Sequence, residues 1–141
     1  MTKLTLENIW DLGDAEKGII RPDEVRRVEV EALVDTGATM LVLPADVVAK
    51  LGVTIRDRKT VRMAGGSLTE AGRVTGLRIE ILGRDMTGDA LVVPAGATPL
   101  IGQMQLESLD LIVDPRSQEV RTNPRSPDVH IYDMLGLSSV A

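Results

Sequence analysis

The run Asp35-Thr36-Gly37-Ala38-Thr39 places a carboxylate just ahead of a glycine. A carboxyl group that is held in one place can take a proton from water or give one to a substrate, so such a residue can act as a general base or a general acid. Other chemistries have less support, because the chain holds no cysteine and a single histidine, His130. A Ser-His-Asp triad would have one possible base, and a zinc site would need carboxylates. Asp35 is therefore the candidate catalytic residue.

Two other interpretations of the triplet are open. An Asp-Thr-Gly sequence can be an ordinary turn that arose by chance. Asp35 could also accept a phosphoryl group at a strand end, but that pattern has a second acid two residues later, where this chain has Gly37. Apolar runs on both sides of the triplet favour a built site over a chance turn.

The elements around Asp35 explain how it would be positioned. Apolar and polar residues alternate over 27–34, which predicts a half-buried strand that ends at the acid. Gly37 allows backbone angles that a residue with a Cβ resists, so a sharp turn is expected there. The run Met40-Leu41-Val42-Leu43 predicts a second strand. The carboxylate would then lie on a tight loop between two buried strands.

With these features the chain resembles the retropepsin-like aspartic proteases. The Asp35-Thr36-Gly37-Ala38 run is similar to their active-site loop, and the hairpin over 61–70 lies where that family has its flap. Leu100-Ile101-Gly102, followed by a short helix, is similar to the family's signature of two apolar residues and a glycine. The similarity covers about residues 25–122.

The resemblance implies a mainly β fold, a closed-barrel-like half-lobe of an acid protease with one or two short helices. It implies a homodimeric endopeptidase that needs no cofactor and no metal, in which Asp35 is the acid and base. Thr36 would brace the loop across the two-fold axis, and Gly37 would allow close approach. The substrate-binding residues implied are Ala38, Met63, Ala64, Gly65 and Gly66, with Val42 and Val93 as further members of aliphatic pockets.

Peptide hydrolysis without a metal or a nucleophilic side chain needs one carboxylate and one carboxylic acid. The other aspartates considered, Asp85, Asp89, Asp110 and Asp114, lack a following Thr-Gly or Ser-Gly. Two copies of Asp35 are therefore required, and a two-fold homodimer supplies them. The alternative is a non-catalytic dimeric binding or scaffolding module of the same fold, and a third possibility is an unrelated β domain.

Composition limits the remaining possibilities. A chain of 141 residues fits one domain, and the lack of Phe with one Trp and one Tyr predicts an aliphatic core. A net charge of −5 without a basic segment argues against nucleic acid or an anionic membrane as the partner, leaving a peptide or protein substrate. Neither a signal peptide nor a membrane-spanning run is visible, so cytoplasmic location is expected.

The rest of the chain is expected to carry and cover the site. We predict an N-terminal arm packed on the domain (1–24), the protease-like domain (25–122) and a C-terminal extension (123–141). Within these the sequence predicts an opening strand over 3–10, a helical turn over 11–17, a helix after Pro44 that ends at Gly52, a short strand over 53–55, a charged turn over 56–59, a strand over 77–81 and its return over 86–93, a hairpin of 111–113 with 119–121, and a short strand over 130–132.

Overall fold

Nine strands and three short α-helices make up the regular structure over residues 1–139, the part of the chain that the computed structural model describes. In chain order they are β1 (Thr2–Asn8), α1 (Ile9–Glu16), β2 (Arg27–Val34), β3 (Leu41–Pro44), α2 (Ala45–Leu51), β4 (Ile55–Arg62), β5 (Leu68–Ile81), β6 (Arg84–Val93), β7 (Leu100–Ile101), α3 (Gln103–Ser108), β8 (Leu111–Val113) and β9 (Val120–Thr122). A 3-10 turn at Pro22–Glu24 lies between α1 and β2.

The main sheet closes on itself. Its strand order is β1-β2-β7-β3-β6-β5-β4, and a further pairing joins β1 to β5. The strands β1, β2, β7, β3, β6 and β5 therefore form a barrel, and β4 extends from β5 outside it. The predicted mainly β, closed-barrel half-lobe is confirmed.

The barrel interior is aliphatic, as the composition predicts. All of its buried hydrophobic residues are Leu, Ile, Val or Ala, and Leu6, Leu41, Leu77, Ile79 and Ile101 are fully buried. Each buried Leu or Ile side chain contributes about 1.5–3 kcal/mol relative to its exposed state. The core therefore holds β2, β3 and β7 together beneath the loop that carries Asp35.

The helix that follows β3 matches its sequence prediction. Pro44 is the N-cap of α2, and Val47, Val48 and Leu51 are buried on one side of it. Gly52 ends the helix with φ 69°, in the left-handed region that glycine adopts without strain. This cap turns the chain toward β4.

Several predicted boundaries are wrong. Residues 56–59 do not form a charged turn but lie inside β4, and the predicted strand over 53–55 contributes only Ile55 to it. Their charged side chains fit a strand that is paired along one edge and exposed to solvent. Trp10 was expected in the opening strand but lies in the first turn of α1, where half of its surface is exposed.

Gly72 and Gly76 were expected to interrupt the chain before the strand at Leu77, yet β5 runs through both. The register between β5 and β6 shifts between Val74 and Leu77, which accommodates an irregularity within one continuous strand. Gly76 lies in this interval at φ 78°, and a Cβ there would stand 2.1 Å from the Trp10 ring. A glycine in this sequence marks an irregularity and a close contact, not a strand end.

The N-terminal segment contributes directly to the barrel, since β1 pairs with β2 and with β5. Asn8 caps α1 by accepting hydrogen bonds from the backbone N–H groups of Trp10 (2.9 Å) and Asp11 (3.1 Å). Arg26 donates to both carboxylate oxygens of Asp11, which lowers the pKa of that carboxyl. The three predicted domain boundaries stay predictions.

Beyond α3, β8 and β9 form the predicted hairpin, and the backbone N–H groups of Arg116 and Ser117 donate to the Asp114 carboxylate in its turn. The strand predicted at 130–132 is wrong, because these residues form no strand and the rings of His130 and Tyr132 stack with centroids 4.1 Å apart. No helix within residues 1–139 is long and apolar enough to span a membrane.

Candidate active site

Asp35 follows the last residue of β2 and is exposed. Its backbone N–H donates to the carbonyl of Ile101 in β7 at 2.9 Å, which extends the parallel pairing of β2 with β7 by one residue. The carboxylate oxygen Oδ1 accepts a hydrogen bond from the N–H of Gly37 at 2.9 Å, and the Asp35 carbonyl accepts one from Ala38 at 3.0 Å. The loop thus fixes a carboxylate that still faces solvent.

Gly37 is required for a different reason from the one that the sequence suggests. We expected special backbone angles, but Gly37 does not adopt a positive φ. Instead, a Cβ at this position would lie 3.1 Å from Oδ1 of Asp35. Glycine therefore lets the backbone N–H reach the carboxylate closely, and this contact orients the acid.

The second half of the loop is held by the start of α3. The N–H groups of Gln103 and Met104 donate to the carbonyls of Ala38 (2.8 Å) and Thr39 (3.0 Å). The first N–H groups of a helix have no partner within the helix, so the loop carbonyls satisfy two of them. The loop and the helix consequently fix each other.

Gly102 allows this contact, and its role was missed in the sequence. A Cβ on Gly102 would lie 2.7 Å from the Met40 carbonyl oxygen and 2.8 Å from that of Ala38. The buried Gln105 side chain accepts a hydrogen bond from the Gly102 N–H at 3.1 Å. The Leu100-Ile101-Gly102 motif was the available signal, but only the fold shows which backbone atoms the glycine faces.

A depression of about 330 Å³ lies beside the loop and is lined by Thr36, Gly37, Ala38, Thr39, Gln103, Met104 and Glu107. Two large apolar side chains near it are half exposed, Leu33 at 47% and Met104 at 49%. Leu33 shares the solvent-facing side of β2 with Asp35, because side chains two apart point the same way. A larger depression of about 460 Å³, lined by Trp10 and residues 52–56, contains no predicted site residue.

The predicted flap residues form the tip of the β4–β5 hairpin. Met63 donates to the Ser67 carbonyl and Gly66 to the Met63 carbonyl, both at 2.8 Å. Gly66 has φ 87°, whereas Gly65, which we expected to share this strain, lies outside the left-handed region. Met63, Ala64, Gly65 and Gly66 are all exposed, and β4 lies at the end of the strand order, so the tip extends from the barrel.

The pocket residues implied by the resemblance lie on two strands. Val42 pairs with Leu91 of β6 and with Leu100 of β7, and Val93 pairs with Pro44. Both valines are half-buried. They are distant in sequence from the hairpin tip, and their part in a substrate pocket stays a prediction.

Carboxyl groups with a lowered pKa lie outside the Asp35 loop. The Arg73 guanidinium lowers the pKa of Asp57 through two hydrogen bonds, and the Ser126 hydroxyl and Asn123 amide lower that of Asp110. These are partnered, structural acids. In the described part of the chain, no group of three or more His, Asp or Glu side chains is arranged to hold a metal ion.

Comparison with known proteins matches residues 24–108 to the family model described as gag-polyprotein putative aspartyl protease. The matched range is more than half of the chain and contains the Asp35 loop, the β4–β5 hairpin, Gly102 and all of α3. No curated protein matches the chain.

Proposed function

The chain belongs to the gag-polyprotein putative aspartyl protease family, and from this we propose that it is a homodimeric aspartic endopeptidase whose active site is a pair of Asp35 residues. The observation that carries the proposal is the exposed Asp35 carboxylate, oriented by the Gly37 N–H on a loop that β7 and α3 hold in place. A fixed and solvent-facing acid is what general acid–base chemistry requires.

The proposed reaction uses both carboxyl groups of the pair. One Asp35 carboxylate takes a proton from water, whose oxygen bonds to the substrate carbonyl carbon, while the partner copy's carboxylic acid protonates the carbonyl oxygen. The C–N bond then breaks and the departing amine takes a proton. Two carboxyl groups about 3 Å apart cannot both ionise, so they share the proton that these two roles need.

Exposed apolar side chains beside the acid support association of two copies. Leu33 and Met104 are half exposed near the loop, and an apolar surface of this kind is stabilised when a partner covers it. A two-fold axis through the loop would place each Asp35 opposite its copy. Thr36, exposed beside Asp35, would then brace the two loops across the axis.

The hairpin tip would close over an extended substrate. Met63, Ala64, Gly65 and Gly66 are exposed at the end of a hairpin that is tied to the barrel through β5. A peptide can add to such an element as a further strand, so backbone hydrogen bonds would supply affinity and side-chain pockets selectivity. Ala38, half-buried after the acid, would contact the substrate backbone. Cytoplasmic location and the lack of a nucleic-acid partner stay predictions from the sequence.

The test is cleavage of a diverse peptide library from acidic to neutral pH by the wild type, Asp35→Asn and Asp23→Asn. Asp35→Asn keeps the side-chain shape and removes the acid, so its activity should be lost. Asp23 is an exposed acid outside the site, with 75% of its side chain accessible, and its substitution should leave cleavage unchanged.

The possible results separate the hypotheses. A dimer that cleaves no peptide would support the alternative, a binding or scaffolding module of the same fold. Equal cleavage by the wild type and Asp35→Asn would remove Asp35 from the mechanism.

A further inference from the structure

The segment after Ser126 exposes an unusual series of apolar side chains. Within residues 127–139 the chain forms neither helix nor strand, so its backbone pairs with no neighbouring element. More than half of the surface is accessible for each of Val129, Ile131, Tyr132, Met134, Leu135 and Leu137, and Leu135 reaches 93%. Contiguous exposed apolar side chains of this kind mark an interaction site.

This segment leaves the domain from a fixed point. Ser126 is buried, and its hydroxyl and the Asn123 side-chain amide both donate to the Asp110 carboxylate. The buried Arg84 guanidinium donates to the carbonyls of Leu109, Asp110 and Ser126. The tail is thus anchored at Ser126 and free of regular structure over the described residues beyond it.

The anchor is close to the active-site loop. Asp110 lies just beyond the C-terminal end of α3, and the N-terminal end of α3 binds the carbonyls of Ala38 and Thr39. A helix of this length spans about 9 Å. An extended chain from Ser126 to Leu135 reaches about 30 Å. The exposed segment can therefore reach the cleft of its own dimer or of another one.

We propose that the segment 127–139 is itself a substrate of the paired Asp35 site. This inference rests on the proposed function and deepens it by naming a substrate: an extended, apolar segment of the same chain. The two bonds flanked on both sides by large apolar residues are Ile131–Tyr132 and Met134–Leu135. Water adds its oxygen to the carbonyl carbon of Ile131 or Met134, the C–N bond breaks, and the new amine takes the second proton.

The chemistry of the segment suits the proposed cleft. Its backbone N–H and C=O groups have no strand partner, so they can pair with the β4–β5 hairpin as an added strand. The half-buried Val42 and Val93 near β7 and β3 offer aliphatic surface to its side chains. Cleavage would remove exposed apolar surface from the domain, which is a second consequence for its solubility.

The experiment follows the intact mass of the full chain during incubation, for the wild type and for Asp35→Asn. The wild type should accumulate species that end at Ile131 or Met134, while Asp35→Asn stays full length. Replacing Ile131 and Met134 together (Ile131→Asp with Met134→Asp) should slow tail cleavage by about tenfold or more, since charged side chains fit poorly in apolar pockets. The matched control, Ser138→Asp with Ser139→Asp, adds the same charge at exposed positions and should leave cleavage at Ile131–Tyr132 unchanged.

The peptide library separates the two proposals. Cleavage of the library with an intact tail overturns this inference and leaves the proposed function standing. Failure of both overturns both. Loss of the tail from Asp35→Asn at the wild-type rate would show that another protease removes it, which also overturns the inference.

Discussion

At the scale of single residues, the position of Asp35 depends on how closely two glycines let the backbone approach. Gly37 allows its N–H to reach the carboxylate, and Gly102 lets α3 begin directly beneath the carbonyls of Ala38 and Met40. Neither residue supplies chemistry. Both determine where the acid lies.

We predict that Gly102→Ala displaces the loop. The added Cβ would stand 2.7 Å from a backbone oxygen, and the backbone cannot yield as a side-chain end does. The free energy of unfolding, measured in urea, should fall by about 1–3 kcal/mol. Because a small misplacement of a catalytic group is costly, kcat/KM should fall by about tenfold or more.

Gly13→Ala is the matched control for that substitution. Gly13 lies in α1, where an added Cβ meets nothing within 4 Å. Alanine is the better helix former, so the free energy of unfolding should rise by about 0.5–1 kcal/mol. Equal effects of the two substitutions on stability would show that Gly102 has no special contact.

The sequence was sufficient for Asp35 and its loop, because the signals are local: an alternating strand, an acid and a glycine. It was not sufficient for Gly102, whose partners are the carbonyls of Ala38 and Met40. Such a contact exists only after β7 has inserted between β2 and β3. Long-range backbone contacts have no periodicity from which to predict them.

At the scale of elements, the same difference between local and distant signals recurs. The strands β2 and β3 and the helix α2 with its Gly52 cap match their predictions, because each has one buried side and a clear end signal. The strand β4 was misread as a turn at 56–59, since its charged side chains show no buried face. Pairing with β5, not burial, makes that segment a strand.

The β4–β5 hairpin gives a prediction that separates its two glycines. Gly66 has φ 87°, and a left-handed conformation costs a residue with a Cβ about 1–2 kcal/mol. Gly66→Val should therefore change the tip and lower kcat/KM. Gly65→Val, at a position without that strain or any neighbour within 4 Å, should lower it less. Thermal unfolding should show both variants folded, and identical kinetics for the two would remove the conformational role of Gly66.

The anchor at Asp110 gives a pH prediction. Hydrogen bonds from the Ser126 hydroxyl and the Asn123 amide lower the pKa of the Asp110 carboxyl, with a further contribution from the Arg84 charge. A lowered pKa in the folded state means that the anchor's stabilisation is present above the pKa of an unfolded aspartate. It is lost as pH falls through the lowered value.

Asp110→Asn isolates this contribution, because asparagine tolerates the left-handed φ of 55° at this position. At neutral pH the variant should be less stable than the wild type, and the difference should shrink as the pH falls below the range of ordinary carboxyl groups. Urea unfolding of both proteins across pH measures it. A difference that stays constant down to the most acidic pH would contradict the anchor's dependence on the carboxylate.

At the scale of the whole molecule, one chain carries half of the proposed chemistry. Its barrel is closed by β1 and β5, so the lobe has its own core, yet its candidate acid is exposed and single. A folded half-site of this kind separates folding from activity. Folding should occur within one chain, and catalysis should require two.

The final prediction is that a mixed dimer of one wild-type chain and one Asp35→Asn chain is inactive. Such a pair, assembled from differently tagged chains and purified through both tags, retains shape and hydrogen-bonding capacity but lacks one of the two carboxyl groups. Without that purification, random pairing of equal amounts leaves about one quarter of the dimers with both acids, so activity per wild-type chain should fall to about half.

Pairing with Asp23→Asn chains supplies the control, because that acid is exposed and outside the site. These mixed dimers should retain the wild-type rate. Dilution offers an independent measurement, since the rate per chain should fall once dimers dissociate. A purified mixed dimer that hydrolyses peptide at half the wild-type rate would mean that each chain works alone, and the shared site would have to be abandoned.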